Sequence, residues 1–240
     1  MNPTTSNKVE ATQALIQLTK VSKTYLAGDN QVQALKSISL TIGQGEFLSI
    51  AGPSGSGKST LLNLLGCIDR HEFGDIVIDG QNVAALSRTQ LADFRRHRLG
   101  FVFQSYNLIP VLTAYENVAF ALNLLGLPEK EVRQRAMAIL EEVGLQGMTD
   151  RLPSRLSGGQ QQRVAVARAL VKKPALVLAD EPTANLDSNT GEAILKMMKD
   201  MNQKHHTTFI FSTHDKMVMD QAKRLVRLHD GNIVDDEVRS

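Results

Sequence analysis

The sequence of 240 residues has one cysteine, no tryptophan and a formal net charge of only +2. A single cysteine excludes an internal disulfide and an all-cysteine metal site, and it favours a reducing compartment. The near balance of charge argues against a strongly basic nucleic-acid-binding surface, so no nucleic-acid partner is expected. The length and the apolar content of 42% suit one compact domain with a subdomain better than two large domains.

Long apolar runs are also missing. Val118–Leu127 is among the longest, and Asn123 interrupts it, whereas a membrane-spanning helix needs about 20 apolar residues. Residues 1–13 are polar and lack the charged-then-apolar pattern of a secretory signal. We expect them to be disordered. The chain is expected to be soluble, so a membrane role would require another protein to hold it there.

Short apolar runs alternate with helical patterns along the chain, which predicts an α/β domain with parallel strands and crossover helices. Between Phe103 and Leu176 only helical spacing is found, which indicates a helical insertion within the domain. The predicted strands are Leu15–Leu18, Ser37–Ile42, Phe47–Ala51, Asp75–Ile78, Leu99–Phe103, Leu176–Ala179, Thr208–Ser212 and Arg224–Leu228. The main predicted helices are Thr60–Leu65, Arg88–Arg98, Thr113–Leu125, Pro128–Val143 and a helix from Gly158 to about Val171.

The segment Gly52–Ser59, GPSGSGKS, matches the phosphate-binding pattern GxxxxGK[ST] between a predicted strand and a helix. Its glycines let backbone N–H groups turn towards phosphate oxygens, and the next helix presents its positive end to them. Lys58 would reach the β- and γ-phosphates and Ser59 would bind Mg²⁺. A chance glycine-rich turn is the alternative. The residues expected to hold nucleotide here are Gly52, Ser54, Gly55, Ser56, Gly57, Lys58, Ser59 and Thr60.

Two acids follow the buried strand Leu176–Ala179. Asp180 is placed at the strand end to join a Mg²⁺ shell, and Glu181 to orient or deprotonate an attacking water. Alternatively, the pair only caps the next helix.

The segment Leu156–Arg163, LSGGQQQR, places a hydroxyl and two glycines at the start of an apolar helix, a second anion-binding helix end. In the order phosphate loop, LSGGQ, apolar-DE-P and a late histidine, the chain resembles ATP-binding-cassette (ABC) ATPases from about Leu15 to Asp235. The resemblance implies a P-loop NTPase (RecA-like) core with an antiparallel β-subdomain and an inserted α-helical subdomain. It implies one domain over residues 14–235, with the helical subdomain at about 105–171, the core and β-subdomain at 14–104 and 172–235, and a tail at 236–240.

The resemblance also assigns roles to further residues. Tyr25 matches the aromatic that stacks on adenine, and Gln104 matches the Q-loop glutamine that contacts Mg²⁺ or the attacking water. His214 matches the switch histidine at the γ-phosphate, and Asp187 the D-loop aspartate that bridges two subunits. Asn185 departs from the family pattern, which leaves the bonding across the subunits open. ATP would lie between one copy's phosphate loop and the signature Ser157, Gly158, Gly159 and Gln160 of another copy, which implies a head-to-tail homodimer.

The family's partner is an integral membrane permease, and the apolar segment from Ser105 to Val118 is the expected contact, with Tyr106, Leu108, Pro110 and Leu112 foremost. The motifs are similar to the macrolide-exporter and lipoprotein-releasing branch, whose permeases have four spans and a large extracytoplasmic domain. An ATP-driven export or extraction motor on the cytoplasmic side of a bacterial inner membrane is therefore expected.

Three other functions share part of this pattern. The ATPase of a cell-division or cell-wall regulator would share all these motifs and signal across the membrane without transport. A soluble ABC protein acting on ribosomes or DNA would usually have two cassettes or a long coiled-coil insertion. A nucleotide kinase would lack LSGGQ and the late histidine, so it is rejected.

Overall fold

The computed structural model describes residues 14–28 and 30–239, so the N-terminal segment expected to be disordered, 1–13, lies outside the described residues. The strands are β1 (Ala14–Ala27), β2 (Asn30–Gly43), β3 (Phe47–Ala51), β4 (Phe73–Ile78), β5 (Gln81–Asn82), β6 (Leu99–Val102), β7 (Leu176–Asp180), β8 (Thr208–Thr213), β9 (Arg224–His229) and β10 (Asn232–Val238). The α-helices are α1 (Lys58–Leu65), α2 (Arg88–Arg98), α3 (Ala114–Asn123), α4 (Glu129–Glu142), α5 (Gly158–Leu170), α6 (Ser188–His205) and α7 (Lys216–Gln221). Within this described part, no helix is long and apolar enough to cross a membrane.

A six-stranded sheet in the order β10-β9-β3-β8-β7-β6 forms the centre of the domain. Strands β9, β3, β8, β7 and β6 are paired in parallel, as the alternation with helices predicted. Both faces are covered. Phe47, Phe209 and Phe211 pack on the face of the inserted helices, whereas Leu48 and Ile210 pack on the other face. This alternation is the period of two that a sheet buried on both sides requires.

A second sheet is antiparallel, in the order β2-β1-β4-β5. Its inner residues, including Ile16, Ile42 and Ile76, share one core with the apolar face of α1. Strands β1 and β2 are 14 residues each, much longer than the sequence pattern predicted. In the halves of these strands next to the turn that joins them, buried and exposed residues do not alternate, so the sequence there lacks the period of two that predicts a strand.

Helices α3, α4 and α5 fill the chain between β6 and β7, where only helical structure was expected. Asn117 on α3 is fully buried, and its side chain bonds the preceding loop. Its Oδ1 accepts from the Ile109 N–H at 2.8 Å, and its Nδ2 lies 2.9 to 3.1 Å from the carbonyls of Ile109, Leu112 and Thr113. This one side chain therefore fixes the apolar loop before α3 to the helix.

The C-terminal strand corrects one predicted boundary. Strand β10 pairs antiparallel with β9 through Val238, so the domain does not end at residue 235 and most of the predicted tail is strand. The acids Asp235 and Asp236 pair with Arg227 and Arg224 of β9, a charged pattern that resembles a surface loop in sequence.

Cys67, the single cysteine, is buried after α1. Burial raises the pKa of its thiol to about 11, as suits a packing role.

Candidate active site

The phosphate loop connects the carboxyl end of β3 to the start of α1. Gly57 caps the helix at φ 104°, and a Cβ there would lie 2.5 Å from the Ala34 carbonyl oxygen, so glycine is required at this position. Lys58 is the first residue of α1 and is only 8% exposed. Its Nζ donates to the carbonyls of Gly52 and Pro53 at 2.7 and 2.9 Å. The ammonium is thereby held over the loop that carries the inward-facing N–H groups.

Glu181 follows β7 in the left-handed region, at φ 45°, a strained conformation for a side chain of this size. Its N–H donates to the Ser212 carbonyl at 2.9 Å, which ties the residue to the neighbouring strand β8. Thr213 Oγ1 donates to Glu181 Oε2 at 2.8 Å, and His214 Nδ1 lies 2.5 Å from Oε1. The carboxylate is therefore held in one orientation while the His214 side chain remains 73% exposed.

These groups meet in one open cavity of about 810 Å³ at the carboxyl edge of the central sheet, the edge where α/β folds place ligands. Sequence-predicted residues that line it are Ser54, Gly55, Gly57, Lys58, Ser59, Thr60, Gln104, Asp180, Glu181 and His214. The predicted Gly52 and Ser56 lie just behind this lining, in the same loop. Ser56 is buried, and its hydroxyl has no hydrogen-bond partner among the described residues.

The signature residues lie elsewhere. Among the described residues, neither the segment Ser157–Gln160 nor Asp187 lines the cavity. Ser157 caps α5 in a capping box with Gln160, which orders that helix end. A Cβ on Gly158 would lie 2.9 Å from the Tyr106 hydroxyl, and one on Gly159 would lie 2.5 Å from a Thr190 methyl. These glycines permit the close approach of two neighbouring segments of the same chain.

A family model described as ABC transporter matches residues 35–184 of this sequence. The chain belongs to the ABC transporter family. The match spans the phosphate loop, the signature segment and the acid pair Asp180-Glu181.

Curated relatives support the same family assignment. The macrolide export ATP-binding/permease protein MacB of Brucella melitensis is 47% identical over 225 residues, covering 94% of this chain and 35% of the relative. An uncharacterized ABC transporter ATP-binding protein of Thermotoga maritima is 46% identical over 219 residues, covering 91% of this chain and 93% of the relative. The chain thus spans about a third of the length of the MacB relatives and nearly all of the Thermotoga protein.

Solved structures give the same result. The dimeric structure of MJ0796, a bacterial ABC transporter cassette, superposes with a TM-score of 0.85 at 44% identity, covering 94% of this chain and 99% of that chain. A second dimeric structure of that cassette, in a post-hydrolysis state bound to ADP and Pi, also gives 0.85, at 43% identity. The expected family, the α/β P-loop fold and the enzyme class, an ABC ATPase, are confirmed.

Two other residues that the ABC resemblance selected lie near the cavity or the signature segment. The Tyr25 hydroxyl donates to Asp69 Oδ2 at 2.7 Å, and burial followed by this bond raises the pKa of Tyr25. An interaction with Thr60, which lines the cavity, lowers this pKa in part, and the adenine role of Tyr25 stays a prediction. Asp187 caps α6, and hydrogen bonds with Thr190 lower the pKa of its carboxyl.

Several residues around the cassette's site were not foreseen. Gln162 is fully buried on α5 and donates to the Pro182 carbonyl at 2.6 Å, next to Glu181. Thr213 orients Glu181, and Ser212 lines the cavity with a hydroxyl that has no partner among the described residues. None of the three left a clear sequence signal, since Gln162 stands in the polar run Gln160–Arg163, where the sequence does not show which side chain is buried.

Proposed function

We propose that the cassette binds ATP in the cavity at the sheet edge and hydrolyses it to drive a membrane permease. The observation that carries the proposal is the convergence of Lys58, Glu181 and His214 on one cavity. A cation for phosphate oxygens and an oriented carboxylate for water are what phosphoryl transfer to water requires.

The donor atoms in the cavity fit Mg²⁺. Ser59 offers a hydroxyl, Asp180 a carboxylate and Gln104 an amide oxygen, and all three line the same cavity. These are hard oxygen ligands, and Mg²⁺ bound with nucleotide takes only one or two from the protein besides phosphates and water. Groups of three or more His, Cys, Asp or Glu that could hold a metal are absent from the described residues, in keeping with a cation that arrives with ATP. When bound, the cation would neutralise developing charge on the phosphates.

The protein's own part in hydrolysis follows from Glu181. The carboxylate, held by Thr213 and His214, accepts a proton from the water that attacks the γ-phosphate. His214 shares its Nδ1 with this carboxylate, and its exposed ring is free to turn its other nitrogen towards the phosphate. Lys58 meets the negative charge of the β- and γ-phosphates as a point charge. The phosphate loop and α1 exert the same pull through N–H groups and the helix dipole.

A second copy of the chain would complete each site. The capped helix end at Ser157 lies outside the lining of its own chain's cavity, so it is available to an ATP held by another chain. A two-fold dimer then contains two equivalent sites, each with the phosphate loop of one copy and the signature of the other. Removal of the γ-phosphate would release the contact that joins them.

Complementation tests this shared site. Ser157→Arg should block the signature side and Lys58→Ala the phosphate side, so neither purified variant should hydrolyse ATP. In a mixture, hetero-dimers contain one intact site, and turnover should appear. A mixture as inactive as its components would contradict the shared site. A Ser157→Arg variant active by itself would do so as well.

The proposed permease contact is the segment before α3 together with the cleft between α3 and α5. Pro110 and Val111 are exposed, Val111 by 78%, while Leu108 packs against the core. Phe120 on α3 and Leu124, the residue that follows this helix, add exposed apolar surface. Because Asn117 holds the loop in place, this surface is rigid and suits a short helix of a membrane protein. The cassette would then lie on the cytoplasmic side of a bacterial inner membrane.

Val111→Glu tests this contact. It should abolish co-purification of the cassette with its permease from detergent-solubilised membranes, and leave the ATPase rate of the isolated cassette unchanged. Val238→Glu is the matched control, because Val238 is 79% exposed on β10. Equal retention of the permease by both variants would exclude the segment as the docking surface.

For the permease itself we propose the macrolide-exporter and lipoprotein-releasing type, with four spans and a large extracytoplasmic domain. The support is the 47% identity to relatives named for macrolide export, in which ATP-binding and permease parts share one name. Lipoprotein, peptide or macrolide-like cargo would be exported or extracted by mechanical transmission. Signalling to a cell-division or cell-wall enzyme is the second candidate, and the identity of the permease would distinguish the two.

A further inference from the structure

A strained turn connects the nucleotide cavity to the signature helix. It follows β6, with Gln104 lining the cavity and the next three residues leading into the apolar loop. Tyr106 and Asn107 both have positive φ, 61° and 48°. Two successive non-glycine residues in the left-handed region are rare, and for a bulky tyrosine this conformation persists only if its surroundings impose it.

Arg168 on α5 imposes it. Its Nη2 donates to the Tyr106 carbonyl at 2.8 Å and its Nη1 to the Asn107 carbonyl at 2.6 Å. The planar guanidinium thus binds two successive carbonyls of the turn, which a lysine cannot reproduce. Arg168 takes part in no ion pair among the described residues, and burial lowers its pKa. Among the described residues, its half-buried guanidinium therefore binds backbone carbonyls and no carboxylate.

Asn185 holds the other end of the turn. Its Nδ2 donates to the Gln104 carbonyl at 3.0 Å. The amide of Asn185 provides a donor there that an alanine would lack. The turn is thus bound from α5 by Arg168 and from the D-loop by Asn185.

The held turn contacts both halves of the proposed site. At one end Gln104 lines the cavity. At the other, the Tyr106 hydroxyl lies against Gly158, so close that a Cβ on the glycine would be 2.9 Å from it. A change in the turn would therefore move a cavity side chain and the support of the signature helix together.

We propose that Arg168 and Asn185 are positioning residues for ATP hydrolysis: they hold the left-handed turn that sets Gln104 in the cavity and Tyr106 against the signature. This rests on the proposed function, since the reaction positioned is the hydrolysis of ATP. Arg168 also lines a cleft of about 240 Å³ with Phe101, Phe103 and Ala121, in the region of the proposed permease contact. A permease helix in that cleft would reach the cavity through this same guanidinium.

The test is Arg168→Lys, which keeps the charge and loses the paired bonds. We expect kcat to fall by about tenfold, while KM for ATP stays within about twofold, because Lys58 and the phosphate loop are untouched. Arg95→Lys is the matched control: Arg95 lies on α2, outside the phosphate loop and the signature segment, and donates to the Cys67 carbonyl at 2.7 Å, away from the turn. It should keep kcat within about twofold of the unmodified chain, although its melting temperature should fall at least as much as that of Arg168→Lys.

The outcomes separate the two proposals. If the unmodified chain and Arg95→Lys hydrolyse ATP and Arg168→Lys does so equally well, the positioning role is wrong. It is equally wrong if both variants lose kcat in step with their melting temperatures. If the unmodified chain has no ATPase activity even at the high concentrations that favour the dimer, the proposed function itself fails. Should Arg168→Lys not fold, the exposed Asn185→Leu decides: kcat reduced with KM retained supports the role, and unchanged kcat overturns it.

Discussion

Glu181→Gln is expected to lower kcat for ATP hydrolysis by at least about a hundredfold, because a positioned general base contributes on the order of 10²–10⁴ in rate. ATP binding should persist, since no group that meets the phosphates is removed. The fold should persist as well: the introduced amide can still accept from His214 and donate to the Thr213 hydroxyl, which both accepts and donates. Unhydrolysed ATP should then hold the two copies together.

Two measurements check this expectation. Steady-state phosphate release gives the loss of turnover, and gel filtration with ATP and Mg²⁺ should show the variant as a dimer. Glu141→Gln, at an exposed position on α4, is the control and should retain turnover. Turnover within about tenfold of the unmodified chain would remove Glu181 from the role of base. A variant that remains monomeric with bound ATP would contradict the ATP-linked dimer.

Lys58→Ala has the second large effect, on binding. Lys58 is only 8% exposed, so water weakens the attraction between its charge and the phosphates little. A hydrogen bond to a charged group contributes about 1.5–3 kcal/mol, and we propose that Lys58 binds two phosphates, so affinity for ATP should fall by at least about a hundredfold. Hydrolysis should become undetectable at ATP concentrations that saturate the unmodified chain.

Titration calorimetry with ATP measures the loss. Circular dichroism must accompany it, because the substitution leaves the Gly52 and Pro53 carbonyls without the Nζ donor. Lys196→Ala, on the exposed face of α6, should bind ATP as the unmodified chain does. A folded Lys58→Ala variant with near-normal affinity would show that the loop is not the phosphate site.

The sequence was informative where function depends on consecutive residues. The phosphate loop and the pair Asp180-Glu181 are local patterns, and the structure brings both to one cavity. Helix α2 was predicted to the residue, since Ser87 and Gln90 form a capping box at its start. Local chemistry of this kind is readable without the fold.

The interactions that could not be predicted join residues far apart in the chain. Arg168 binds carbonyls 61 and 62 residues away, and any side chain with suitable reach could have done so. The antiparallel sheet was expected only from the family resemblance. Its strand β1 pairs with β2 on one side and with β4 on the other, and a local sequence pattern does not show which strands pair. Strand β10 was missed because most of its residues are exposed and its run of acids resembles a surface loop in sequence.

The position of Ser157 outside its own chain's cavity has a consequence for control of the motor. If each site is assembled from two chains, the output of the motor depends on how often two copies meet. Free copies at low concentration would then consume little ATP. A permease that anchors two copies side by side would raise their effective concentration to the millimolar range typical of short tethers. The membrane partner would thereby switch on the ATPase simply by keeping two copies close together.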